Sequence, residues 1–108
     1  MYEPSRHLAT FYLAGFQYWD GALVLNRLKP GNELILEPEP DNPHDPEAVA
    51  VRFRSTKIGY IPDSENSFVS VMSHFGHANA FELRVLQVNR KAEPWKQVRV
   101  GLYVKDAR

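Results

Sequence analysis

The chain contains no cysteine among its 108 residues. Without thiols it can form neither a disulfide framework nor a thiolate metal site, and this composition fits a reducing compartment. It also lacks any apolar run near the ~20 residues needed to cross a bilayer. Residues Met1–Arg6 lack the basic and apolar segments of a signal peptide. We therefore expect a soluble, cytoplasmic protein with no membrane partner.

The chain also lacks an excess of charge of either sign, since thirteen Lys and Arg balance thirteen Asp and Glu. Proteins that neutralise many phosphates nonspecifically carry a basic surface, so this balance argues against that class of nucleic-acid binder. It leaves room for a small site that grips a strand end or a few nucleotides. The 44% apolar content predicts a packed globule. The length predicts one domain over residues 1–108, with its core at about 7–104.

Proline, by contrast, is concentrated in one acidic stretch, Glu37–Pro46 (EPEPDNPHDP). Each proline fixes φ and lacks an N–H, so the stretch can form neither a helix nor a regular ladder. Asn42 and Asp45 each precede a proline, and such side chains hydrogen-bond the backbone two residues on. The apolar run Ala48–Val51 follows and is typical of a buried strand. The pattern predicts a rigid loop that carries polar groups onto a β scaffold, where binding sites are usually built.

Short apolar runs separated by polar turns predict about six strands with one or two inserted helices. We expect strands at 7–14, 33–36, 48–53, 58–61, 81–88 and 98–104, and a short helix at 22–28. A second helix should begin after an N-cap at Asp63 or Ser64 and end near Phe75, before Gly76. The pattern favours a mainly β fold, a small closed or nearly closed β-barrel. A split α+β sheet is the alternative.

Two groups of aromatic residues allow sharper expectations. Phe68, Met72 and Phe75 recur at i, i+4 and i+7 in the second predicted helix, so we expect this stripe to lie in the core. Tyr18 and Trp19 are adjacent in a loop and should point apart. We expect one of those two to face solvent or a ligand.

Two clusters raise the question of metal-dependent chemistry. Carboxylates in the acidic turn suit hard cations, as a metal-dependent nuclease would need, but no second carboxylate cluster completes such a site. His74 and His77 lie at i and i+3, but they lack an obvious third ligand. We therefore predict no enzymatic activity, no bound metal and no other cofactor. The side chains of the acidic turn are Asp41, His44, Asp45 and Glu47.

From about Thr10 to Val104 the chain resembles a HIRAN domain. Its most specific element is the block E-P-x-x-x-N-P-x-D-x-x-A-V-x-V, followed closely by I-G-Y-I-P. HIRAN domains occur at the front of some Swi/Snf-type DNA-translocating ATPases and as free-standing bacterial proteins. The positions that carry the resemblance are Gly15, Tyr18, Trp19, Gly21, Glu37-Pro38, Asn42–Asp45, Ala48–Val51 and Ile58–Pro62.

The resemblance implies a small OB-like six-stranded β-barrel. It also implies a non-enzymatic module that captures the 3′-hydroxyl end of single-stranded DNA, in DNA repair, replication or related DNA processing. It implies that Tyr18 and His44 flank terminal bases, that Asp45 accepts a hydrogen bond from the 3′-OH, and that Asn42 shapes the loop. The expected partners are a single-stranded DNA 3′ end and a DNA-processing ATPase or nuclease. The expected DNA-binding residues are Gly15, Gln17, Tyr18, Trp19, Asn42, His44, Asp45 and Tyr60.

The chain departs from the family pattern at three positions. The family usually has a tyrosine in place of His44, and basic residues in place of Gln17 and Asp63. Losing two basic residues weakens phosphate binding, so the alternative is a protein-interaction adaptor with a decayed DNA groove. Asp45 could also act only as a loop cap, and Tyr60 could lie in the core. Basic residues that either substitute for the lost contacts or lie on a solvated strand face are Arg52, Arg54, Lys57, Arg84 and Arg90.

Overall fold

Six strands make up one antiparallel sheet. The computed structural model describes residues 5–19, 21–76 and 78–105. Along the sheet the strands follow the order β1-β6-β5-β2-β3-β4, so each neighbouring pair except β1·β6 and β2·β5 is consecutive in the chain. The strands are β1 (Ser5–Tyr12), β2 (Glu33–Pro38), β3 (Val49–Phe53), β4 (Thr56–Tyr60), β5 (Phe81–Val88) and β6 (Val98–Lys105).

Two α-helices lie between the strands. Helix α1 (Gly21–Val24) continues as a 3-10 turn over Leu25–Arg27, and α2 (Asp63–His74) connects β4 to β5. The N-cap of α2 is Pro62 rather than Asp63 or Ser64, and Gly76 follows its C-cap with φ +85°. Over the described ranges, no helix combines the length and apolar character needed to cross a membrane.

The sheet stays open at its two edge strands, β1 and β4. Among the described residues, these edges meet only at a bridge between Ala14 and Tyr60, whose N–H groups each donate to the other residue's carbonyl (2.8 and 2.9 Å). Pairing cannot continue because β1 ends at Tyr12 and the chain turns at Gly15, where φ is +68°. The prediction of a six-stranded, mainly β fold with inserted helices is confirmed, although the barrel does not close.

The core is densest under β3, the strand that follows the proline-rich loop. Val49, Ala50 and Val51 are fully buried, because β3 has a paired strand on each side and helix α2 above it. Leu83 and Val100 contribute from β5 and β6. The predicted buried strand is therefore present, and it fixes the position of the loop that precedes it.

The orientation of α2 differs from the prediction. Val69 and Asn66 are its buried residues, and Met72 packs against the core from the same side. Phe68 and Phe75 are exposed instead, so the predicted core stripe is wrong for both. Val69 and Met72 pack against the core, and on the same side of α2 the Asn66 amide donates a long-range hydrogen bond to the Asp45 carboxylate (3.0 Å). Burying this face leaves Phe68 and Phe75 exposed.

Candidate functional site

An open groove of about 340 Å³ lies between the turn after β1, the proline-rich loop and the start of α2. We call it the aromatic groove. Exposed rings and carboxylates line it above a floor of small apolar side chains. Its lining residues are Ala14, Gly15, Tyr18, Trp19, Asn42, His44, Asp45, Ala48, Tyr60, Ile61, Asp63 and Asn66.

The aromatic groove brings together every predicted site residue except Gln17. Gln17 is exposed on the same turn as Tyr18 but is not among the lining residues. Tyr60 lines the groove at intermediate exposure, so it is not a core residue. The structure thus places Tyr18, His44 and Asp45 in one concave surface, although they come from segments far apart in the chain.

The turn after β1 presents Tyr18 to solvent. Gly15 adopts the left-handed conformation (φ +68°), which glycine tolerates without steric cost, and starts a 3-10 turn over Phe16–Tyr18. The Tyr18 N–H donates to the Gly15 carbonyl at 2.9 Å. Phe16 is buried and anchors the turn, whereas Tyr18 is 79% exposed. The prediction that one of the two adjacent aromatics faces solvent is confirmed for Tyr18.

Trp19 and Tyr60 form one wall of the groove, and Lys57 contacts both rings without lining the groove. The two rings meet edge to face, with centroids 5.9 Å apart. The Lys57 Nζ lies 4.0 Å from the Trp19 ring centroid and 4.5 Å from that of Tyr60. An ammonium over aromatic faces is attracted by their quadrupoles, so Lys57 stiffens this wall.

Glu39 joins the wall to the proline-rich loop. Its carboxylate accepts hydrogen bonds from Lys57 Nζ (2.7 Å), the Tyr60 hydroxyl (2.7 Å) and Asn42 Nδ2 (3.1 Å). Burial acts to raise the pKa of Glu39, but these three hydrogen bonds outweigh it and hold the pKa below its usual value. Burial acts to lower the pKa of Lys57, but the bonds to Glu39 and Tyr60 raise it overall. Burial raises the pKa of Tyr60.

Asn42 and Asp45 hold the loop in one conformation. The Asn42 Oδ1 accepts from the backbone N–H groups of His44 (2.9 Å) and Asp45 (3.1 Å). Asp45 Oδ1 accepts from the Glu47 N–H (2.9 Å), and Asp45 Oδ2 from Asn66 Nδ2 (3.0 Å). Asp45 is therefore a loop cap. An ionised carboxylate has about four acceptor sites, so it retains capacity for a ligand hydroxyl.

The family model of the HIRAN domain matches residues 8–105. The chain belongs to the HIRAN family. Membership of this family supports a DNA-binding module.

Solved structures agree with the fold of this HIRAN domain. A protein from Lactobacillus plantarum aligns with a TM-score of 0.77 and 23% identity, over 94% of this chain and 96% of that one. The HIRAN domain of human HLTF aligns with a TM-score of 0.62 and 13% identity, over 94% of this chain and 81% of that one. No curated protein matches the chain.

None of the five basic residues considered in the sequence analysis lines the aromatic groove of this HIRAN domain. Arg52 donates from Nε to Glu37 Oε1 at 2.9 Å, and this bond lowers the pKa of Glu37. Arg84 pairs with Glu82, Arg54 lies over the Phe53 ring, and Arg90 donates to the Asn26 carbonyl. Lys57 contacts the wall rings Trp19 and Tyr60, and this role was missed because only the fold brings Lys57 beside Glu39.

Five groove residues were not assigned to the site by the sequence analysis. Asp63 and Asn66 are the polar ones, and the others are Ala14, Ala48 and Ile61. The sequence offers one signal for Asn66. It lies three positions before Val69, so a helix that buries Val69 also places the polar Asn66 side chain on its inner face. Within the described part of the chain, no three His, Asp or Glu side chains converge to hold a metal ion. His74 and His77 were considered as metal ligands in the sequence analysis. His77 and the side chain of His74 lie outside the described residues.

Proposed function

We propose that this HIRAN domain is a non-enzymatic module that captures the 3′-hydroxyl end of single-stranded DNA. The observation that carries the proposal is the convergence of Tyr18, His44 and Asp45 in the aromatic groove. A base stacked on an aromatic side chain contributes roughly 1–3 kcal/mol without reading its identity. The exposed Tyr18 ring supplies such a surface, and the His44 ring supplies a smaller one.

The charge of the groove favours a hydroxyl over a phosphate at the strand end. Asp45 and Asp63 are acidic, and no Lys or Arg belongs to the described residues that line the groove. A carboxylate accepts a hydrogen bond from a 3′-OH, whereas a 3′-phosphate carries like charge and is repelled. The same groove therefore supplies both affinity for bases and selection of the free end.

A role in DNA repair, replication or related DNA processing follows from such end capture, because those processes expose free 3′ ends. In this role the domain delivers a cytoplasmic DNA-processing ATPase or nuclease to the end, and the partner supplies the chemistry. The domain itself contributes position rather than catalysis.

A protein-interaction adaptor with a decayed DNA groove is the second candidate. Asp63 favours it, because this carboxylate lines the groove where the family often has a basic residue. Gln17, the other replaced basic position, lies off the groove. An adaptor of this kind would bind neither kind of DNA end.

Fluorescence anisotropy with 5′-labelled single-stranded oligonucleotides tests the proposal. The protein should bind a 3′-OH strand at least about tenfold more tightly than the same strand with a 3′-phosphate, a difference of ~1.4 kcal/mol. Tyr18→Ala should weaken both complexes, whereas Tyr12→Ala, a matched change on β1 outside the groove, should weaken neither. Equal affinity for both ends would remove end capture, and no binding to either would favour the adaptor. Cleavage of labelled DNA with Mg²⁺ or Mn²⁺ would contradict the non-enzymatic role.

A further inference from the structure

A second groove, of about 270 Å³, lies on the other side of the proline-rich loop, against the C-terminal half of α2. We call it the proline groove. Val71 and Phe75 form one wall, and both are exposed, Phe75 by 71%. Contiguous exposed apolar surface of this kind marks interaction sites. The opposite wall consists of Pro38, Pro40 and Pro46.

The proline groove is preorganised by the same contacts that build the aromatic groove. The Asn66–Asp45 hydrogen bond holds α2 against the loop, and Val69 and Met72 face the core. Val71 and Phe75 are exposed and line the groove beside the loop prolines. Its proline side chains have little rotamer freedom to lose when a ligand binds. A rigid apolar groove costs less free energy to fill than a mobile one.

The surroundings of the proline groove are acidic. A shallower hollow shares Pro38 and Pro40 with it and adds Glu39 and Asp41. On the helix side, Ser67 Oγ donates to Glu47 Oε1 at 3.0 Å. The segments 38–51 and 58–83 contain no Lys or Arg, and Lys57 between them pairs with Glu39. The carboxylates that this pairing leaves for a ligand are those of Asp41 and Glu47. This charge disfavours DNA and anionic lipid and is complementary to a basic ligand.

We propose that the proline groove docks a basic segment of another protein. In this complex an apolar side chain of the partner inserts between Phe75, Val71 and the prolines, and flanking Lys or Arg side chains pair with Asp41 and Glu47. A second copy of the chain is the less favoured occupant. Arg90 and Lys91 lie outside the proline groove, so their insertion into the groove of another copy would join two different surfaces. Such a heterologous contact would propagate into rings or filaments. The proposal is independent of DNA binding.

An array of dodecapeptides tests this proposal with the full chain as the labelled probe. One set carries a central leucine or phenylalanine flanked by lysine and arginine. A second set has the same apolar residue with acidic flanks, and a third has basic flanks around serine. Binding should be confined to the first set, and its best peptides should then be measured in solution by anisotropy.

Two lysine variants isolate the groove. Phe75→Lys should weaken the best peptide by about tenfold or more, as expected for an anchor side chain. Leu23→Lys changes a similarly exposed side chain (75%) outside the groove and should leave affinity unchanged. Tyr18→Ala should also leave it unchanged, which separates this surface from the aromatic groove. Thermal unfolding verifies that each variant folds.

Three results would overturn the proposal. One is the absence of binding by the basic apolar set, and another is equal binding by the acidic set. The third is an unchanged affinity in Phe75→Lys. Concentration-dependent self-association that Phe75→Lys abolishes would assign the groove to a second copy instead.

Discussion

Asp45 has two roles that depend on the same carboxylate. It caps the loop through the Glu47 N–H and fixes α2 through Asn66, and its remaining acceptor capacity faces the aromatic groove. The structural interpretation of this residue and the DNA-binding hypothesis are therefore compatible. A substitution of Asp45 must therefore be compared with a substitution of an acidic residue that bonds neither the Glu47 N–H nor Asn66.

Asp41→Asn is that comparison, because Asp41 lies in the same loop, is exposed and does not line the aromatic groove. Asp45→Asn should reduce the preference for a 3′-OH over a 3′-phosphate strand by about tenfold, because the amide no longer repels phosphate. Asp41→Asn should preserve the preference. Competition anisotropy with the two strands measures it. An unchanged preference in Asp45→Asn would remove this carboxylate from end selection.

Glu39 predicts a pH dependence of stability. Its pKa is lowered in the folded protein from the usual 4.5, so its contribution is present above that value and lost as pH falls through the folded pKa. Glu39→Gln should lower the free energy of unfolding by about 1–3 kcal/mol near neutral pH, since it loses charged hydrogen bonds to Lys57 and Tyr60. The gap between the two proteins in free energy of unfolding should shrink as the pH falls below the usual pKa of 4.5 and through the folded pKa.

Urea unfolding at several pH values measures this gap, with Asp41→Asn as the control that should show little of it. Lys57 gives the opposite pH dependence. Its pKa is raised in the folded protein, so its contribution to stability is lost only as the pH rises through the folded pKa. A gap that stays constant from neutral to acidic pH would contradict the role of the Glu39 carboxylate.

At the scale of elements, local sequence patterns predict the strands well and their surroundings poorly. The alternation in residues 81–88 predicts β5 with the bounds found, because each side chain's face is set by its own position. The buried face of α2 carries Asn66, whose partner Asp45 is 21 positions away, so the helical periodicity alone predicted the wrong buried face. The contacts of Lys57 with Glu39 and the Trp19 ring were missed for the same reason, because they join residues far apart in the chain.

Two elements approach each other closely at Gly59 in β4. A Cβ added there would lie 2.8 Å from the Ala14 carbonyl oxygen, which pairs with Tyr60. Gly59→Ala should therefore displace the turn at Gly15, cost roughly 1–3 kcal/mol of stability as overpacking does, and weaken DNA binding. Anisotropy and thermal unfolding measure the two effects.

Gly31→Ala is the matched control for this change. Gly31 has a positive φ of 94°, but a Cβ there would meet nothing within 4 Å. Its variant should lose stability through backbone strain and keep its DNA affinity. Unaltered DNA affinity in a folded Gly59→Ala protein would show that the turn need not be held against β4.

At the scale of the whole molecule, the net charge is zero but acidic and basic residues are separated. Acidic side chains lie in or beside both grooves, whereas residues 84–105 carry six basic residues and one acidic residue in the sequence. The charge balance of the sequence argues against a polyelectrolyte binder, but a net value does not locate this separation. The basic residues of that segment are Arg84, Arg90, Lys91, Lys96, Arg99 and Lys105.

This separation predicts a weak salt dependence of DNA binding. Each neutralised phosphate of a single strand contributes about −0.7 to the slope of log affinity against log salt concentration. Capture in the aromatic groove should give a slope no steeper than about −2, because the described lining residues include no Lys or Arg. Anisotropy over a salt series measures the slope. A slope near −4 that becomes shallower in Arg90→Gln would place the strand on the basic segment.

The most direct measurement is a ¹⁵N–¹H correlation titration with a short 3′-OH oligonucleotide. The Trp19 indole reports on the aromatic groove, and the Asn66 side-chain amide reports on Asp45. Arg90 and Lys91 do not line this groove, and their backbone signals report on the basic segment. We predict that the Trp19 indole and Asn66 amide signals shift and saturate together, that the backbone signals of Arg90 and Lys91 stay unchanged, and that a 3′-phosphate strand shifts the Trp19 and Asn66 signals only weakly. Shifts confined to Arg90 and Lys91 would contradict the account.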